Sequence, residues 1–146
     1  MTTSSVAEKL GGRKALGRNV ETESDLIDAV RQGLPARALD YIIAIFAEEQ
    51  IPQALLYRLI GSSRTLQRKR THNLKLTSLE SDRLARLARV LVRAEDVFSD
   101  GARSRHWLVQ PNRALDGQRP LDLLDSDTGT IAVERILGRI EHGVYS

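Results

Sequence analysis

Residues 77–98 read TSLESDRLARLARVLVRAEDVF, a stretch without glycine or proline, and they limit the possible folds more than any other segment. Thr77-Ser78-Leu79-Glu80 matches a capping box, in which the first and last side chains satisfy each other's exposed backbone donors and start a helix. Leu84, Leu87, Leu91 and Ala94 then recur at helical spacing and predict a buried stripe. Arg83, Arg86, Arg89 and Arg93 fall mostly off that stripe and read as its wet face, with phosphate contacts as the alternative. So long an amphipathic helix is stable only against partners, and the remaining sequence offers helices.

A helix is predicted over residues 23–32, with Leu26, Ile27 and Val30 on one face and Gly33 as its stop. Pro35 starts a second, carrying Leu39, Ile42, Ile43 and Phe46. Pro52 opens a third, residues 53–60, with Leu55, Leu56 and Leu59 inward. Gly61-Ser62 separates it from a fourth over residues 63–72. After Asp100-Gly101 a short helix turns Trp107 and Leu108 inward, and Pro120 begins a brief helical segment. Asp125, Ser126 and Asp127 are alternative caps for a last helix, whose apolar face is Ile131, Val133, Ile136, Leu137 and Ile140. Residues 1–22 lack sustained periodicity and read as a mobile tail. The expected fold is all-α.

Composition narrows the function. The chain has 146 residues and no cysteine, so disulfides, thiol nucleophiles and Cys-ligated zinc are excluded, and a reducing compartment suits it. With neither a signal-peptide block nor a membrane-length apolar run, a cytoplasmic protein is expected. His72, His106 and His142 lack metal-ligand spacing, and Asp125-Ser126-Asp127-Thr128-Gly129 departs from a calcium loop, with Ile136 where the bidentate Glu belongs. There is no phosphate loop, dinucleotide fingerprint or nucleophile elbow, so neither catalysis nor a cofactor or metal is expected.

Charge is uneven. Residues 58–93 carry a net +8, whereas residues 111–146 carry a net −2, which suggests two surfaces for different partners. Within the basic part, two short helices meet at Gly61, and the second, SSRTLQRKRTHN, has Leu66 as its one strongly apolar residue. That is how a helix-turn-helix looks in sequence: one helix packs, and the other keeps a polar face for the major groove. Ser63, Arg64, Thr65, Arg68 and Lys69 are the candidate DNA contacts, arginine for guanine edges and the others mainly for phosphates. A plain solvated helix is the alternative. Tyr57 stands four positions before Gly61, where such pairs commonly have a small residue.

The C-terminal segment carries the most specific pattern. Trp107-Leu108 is followed by Pro111-Asn112-Arg113-Ala114-Leu115-Asp116-Gly117, then Pro120-Leu121-Asp122-Leu123-Leu124 and Gly129. Leu137-Gly138-Arg139-Ile140-Glu141-His142-Gly143-Val144 completes it. In these elements the chain closely resembles the toxin-binding region of the Xre/MbcA/ParS-type antitoxins. The likeness extends upstream through Arg64-Thr65-Leu66 and residues 79–84.

This resemblance implies an Xre-like helix-turn-helix domain over residues 23–106 and a small helical toxin-binding domain over residues 107–146. It implies a partner, a RES-domain toxin that consumes NAD, whose active-site cleft the antitoxin's end blocks. Such a cleft receives anionic phosphates beside flat rings. Arg139, Glu141, His142, Gly143, Val144, Tyr145 and Ser146 would make a charged plug, with Glu141 or the Ser146 carboxylate in a phosphate pocket and Tyr145 in a ring pocket. Operator DNA is the second expected partner, read by a homodimer, since palindromic sites need paired readers. Candidate dimer faces are those around Ile42–Phe46 and Leu87–Leu91. The alternative is an Xre-class regulator without a toxin.

Overall fold

The computed structural model describes residues 2–143. Among these, the helices are α1 (Thr3–Lys9), α2 (Gly12–Leu16), α3 (Glu23–Gln32), α4 (Arg37–Ala47) and α5 (Gln53–Ile60). They are followed by α6 (Ser63–His72), α7 (Ser78–Phe98), α8 (Gly101–Val109) and α9 (Asp127–Glu141). Two 3-10 turns, Arg113–Leu115 and Pro120–Asp125, join α8 to α9. The described residues form no strand, only an isolated antiparallel bridge between Pro35 and Lys75. The all-α expectation holds.

The architecture follows from α7, which packs against α1, α3, α5, α8 and α9. Its capping box forms as the sequence demands: Thr77 Oγ1 accepts from the Glu80 N–H, and Glu80 accepts from the Thr77 N–H. Leu84, Leu87, Leu91 and Ala94 are buried, but so are Ala85, Ala88, Val90 and Val92. The helix is therefore central rather than one-sided. Its arginines are correspondingly not a wet face: Arg86 is 7% exposed, Arg83 reaches the Ile60 carbonyl at 3.2 Å, and Arg93 pairs with α9. Long arginine stems thread between neighbouring helices and carry the charge to a partner at the edge.

Residues 2–22, read as part of a mobile tail, are instead folded onto the rest. Thr2 caps α1 by accepting from the Ser5 N–H. Val6, Leu10, Leu16 and Val20 are buried in the common core, and Lys9 pairs with Glu95 of α7 at 2.8 Å. The reading failed because each apolar run is one helical turn long, interrupted at Gly11-Gly12, so no periodicity accumulates. The core then runs on through Leu121, Leu124, Val133 and Leu137. Ile42, Phe46, Leu87 and Leu91 all belong to it, each at most 2% exposed, so the two faces expected to dimerise are interior. Ile131, placed on the apolar face of the last helix, points outward instead at 53% exposure.

Candidate functional site

The helix-turn-helix is α5 and α6. Leu66 seats α6 in the core, while Ser63, Arg64 and Arg68 are exposed and Thr65 is half-buried. Arg64, Gln67, Arg68 and Thr71 form one outward face at helical spacing. Gln67 was missed by the sequence reading, although it lies three residues beyond Arg64. Its amide offers the paired donor and acceptor that suit an adenine edge. Unlike Thr2, Thr22, Thr77 and Ser126, the residue before α6, Ser62, makes no side-chain cap, leaving the first N–H groups of that helix open.

Lys69 does not share this face. It is 9% exposed and its Nζ donates to Glu80 Oε1 at 2.7 Å. Helical geometry turns position 69 toward α7, where the capping-box carboxylate is waiting. Burial pushes the Glu80 carboxyl up, but hydrogen bonds from Lys69 and the Thr77 N–H outweigh it and hold the group below its ordinary value. The other Glu80 oxygen lies against the turn glycine. A Cβ on Gly61 would stand 3.2 Å from it, so the turn, the cap and the ion pair form one unit.

Arg70 also turns back. It donates to Asp40 on α4 and to Gln53 and the Tyr57 hydroxyl on α5, tying three helices together. Tyr57 is therefore accommodated in the helix-turn-helix: the residue is 3% exposed and its hydroxyl accepts from Arg70, whose guanidinium also lies 5.8 Å from the ring centre. The polar residues Asp40 and Tyr57, set among apolar neighbours in α4 and α5, were the available signal for this clamp.

At the other end, Ser126 is the cap that α9 uses, accepting from the Gly129 N–H at 3.0 Å. Val133, Ile136 and Leu137 bury its inner face. Arg139, Glu141, His142 and Gly143 emerge exposed, with Gly143 at φ 75° where the helix stops. Both carboxylate oxygens of Glu141 are taken by Arg93 of α7, each at 2.7 Å, which draws the Glu141 carboxyl below its ordinary value. Arg139 has no ion pair with a described residue. Val144, Tyr145 and Ser146 lie outside the described residues. Among the described residues no His, Asp and Glu cluster could hold a metal, and no helix is long and apolar enough to cross a membrane.

Comparison with known proteins matches both halves. Residues 25–89 match the antitoxin Xre-like helix-turn-helix domain, and residues 93–143 match the antitoxin Xre/MbcA/ParS C-terminal toxin-binding domain. The Antitoxin Xre of Yersinia enterocolitica is 37% identical over 83% of this chain and 81% of its own. That of Photorhabdus laumondii is 33% identical over 80% and 78%. A Prs ADP-ribosylating antitoxin of a Sphingobium species is 27% identical over 93% and 96%. With a helix-turn-helix at α5–α6, a toxin-binding domain match running from the end of α7 through α9, and relatives aligned along most of both chains, the protein belongs to the Xre/MbcA/ParS antitoxin family.

Proposed function

We propose that the chain inhibits a cognate RES-type, NAD-consuming toxin by placing residues 139–146 in its active-site cleft. As a homodimer it also represses its own operon, reading operator DNA through Ser63, Arg64, Thr65 and Arg68. The observation that carries the first part is the coincidence of the family's toxin-binding domain with a helix that delivers Arg139 and His142 into solvent. The Sphingobium relative's name speaks of ADP-ribosylation. Transfer of that group ordinarily draws on NAD, which favours a partner with a dinucleotide cleft. Glu141 is already held by Arg93, so the Ser146 carboxylate is the better candidate for a phosphate pocket, with Tyr145 filling a ring pocket. For the operator, support comes from the exposed face of α6 and from Lys69 and Arg70, which hold that helix from behind.

The test is co-expression of the chain with a RES-domain toxin, sought first in the gene next to its own. The full chain is expected to rescue growth, and a chain lacking residues 143–146 is expected to fail while staying folded. Full rescue by the truncated chain would overturn the plug. A gel shift on the upstream DNA should weaken steeply with salt if phosphates are contacted. A shift with no rescue would instead favour the toxin-free regulator.

A further inference from the structure

We infer that two copies of this chain pair through α3, laid antiparallel across a two-fold axis that passes beside Ile27. The inference deepens the homodimer within the proposed operator reading and supplies its contact surface. An open groove of about 620 Å³ runs between α1, α3 and α7, floored by Val6, Leu26 and Val30 and edged by Glu23, Ile27 and Arg31. Ile27 is 45% exposed. The faces expected to dimerise, around Ile42–Phe46 and Leu87–Leu91, are interior, whereas this groove on α3 is open to solvent.

The spacing on α3 selects a second copy as the occupant. Glu23, Ile27 and Arg31 are four residues apart, so they form a single outward row, with the isoleucine midway between opposite charges. At about 1.5 Å of rise per residue, Glu23 and Arg31 lie ~12 Å apart and cannot pair within one helix. Neither makes an ion pair with any described residue. Reversing the row end for end puts Glu23 of one copy opposite Arg31 of the other, at both ends, with the two isoleucines meeting in the middle. A two-fold contact must be self-complementary in this way. The groove beside the row, lined by Val6, Leu26 and Val30 and also by Asp82 and Arg89 of α7, gives each Ile27 a partly apolar surface to bury against.

The chain has no native cysteine, which makes a direct test available. Sedimentation of the full chain, without toxin or DNA, is expected to give twice the 16.3 kDa protomer mass. Ile27→Cys, oxidised with copper phenanthroline, is expected to form a covalent dimer, because residues on a two-fold axis meet their own copies. Ile131→Cys, equally exposed on α9, is expected to stay a single chain. Arg31→Glu should shift the mass to that of the protomer with unchanged helical circular dichroism, and adding Glu23→Arg should restore the dimer. A wild-type chain that sediments as a protomer throughout overturns the inference. So does a dimer that Ile27→Cys fails to cross-link or that Arg31→Glu leaves intact. A dimer that behaves as expected but gives no operator gel shift would sink the DNA reading and leave the interface standing.

Discussion

Arg93 and Glu141 meet through two parallel hydrogen bonds, Nη1 to Oε2 and Nη2 to Oε1, which fasten the last turn of α9 to the middle helix α7. Fork-to-carboxylate pairing fixes direction as well as distance. The pair is partly exposed, so its contribution to global stability is small. Its effect is on where the chain leaves α9. Arg93→Ala is therefore expected to leave the melting temperature nearly unchanged and to weaken toxin binding by roughly tenfold, the size of one lost contact. The exchange Arg93→Glu with Glu141→Arg should recover most of that loss, measured by titration of the purified toxin. An exchange that recovers nothing would mean that Glu141 itself enters the toxin.

Lys69 and Glu80 form the opposite case, a pair with little exposure on either side. Lys69→Met strands a carboxylate against Gly61 and the start of α7. Leaving one buried charge without its partner costs about 3–5 kcal/mol, far more than the intact pair is worth. Urea unfolding should show this loss, and operator binding should fail with it. Arg64→Ala and Arg68→Ala should behave differently: unchanged unfolding, weaker DNA binding, and a salt slope reduced by about one for each phosphate contact removed.

Lys69, expected to face DNA and found paired with Glu80, shows what a sequence can reveal. The long helix, its cap and the α5–α6 break were readable because each is written in local spacing: a capping box, a repeating leucine, a glycine between two short helices. Lys69 looked like its neighbour Arg68, because a basic run carries no mark of which member faces inward. The mark is the helix phase set by Leu66 together with an acid eleven residues away, and that distance is visible only once α7 has folded back. The arginines of α7 were misread for the same reason, since enclosure on several sides is a property of topology. At the C-terminal end, the motif as a whole was recognisable, while the capture of Glu141 by Arg93 joins positions 48 apart in the chain.

The Lys69–Glu80 pair also predicts a pH response. Glu80 has a folded-state pKa below its ordinary value. It binds a proton less readily folded than unfolded, so its stabilising contribution is complete above the ordinary carboxylate pKa. The contribution declines as pH drops below that value and is gone once pH passes the folded pKa. The urea midpoint should accordingly be flat around neutrality and fall on acidification below about pH 4.3, the ordinary Glu value. Glu80→Gln should flatten this acid limb, and an acid limb unchanged in that variant would assign the response to other carboxylates.

Two glycines of α9 should respond in opposite directions to the same change. A Cβ on Gly129 would stand 2.0 Å from the Leu123 carbonyl oxygen, which is backbone and cannot swing aside. Gly129→Ala must therefore push the start of α9 away from the 3-10 turn at Pro120–Asp125, opening contacts around Leu121 and Leu124. A loss of at least about 2 kcal/mol is expected, in the range of core strain mutants. Gly138 meets nothing within 4 Å at the same construction and sits inside the helix. There alanine replaces the residue with the most backbone freedom to lose, so Gly138→Ala should stabilise the fold by about 0.5–1 kcal/mol. Thermal unfolding of the two variants beside the native chain measures both signs at once. Binding to the toxin then adds a second reading, because Gly138 lies one residue before the exposed Arg139. A stabilised Gly138→Ala chain that no longer neutralises would extend the toxin contact from the helix end back along α9.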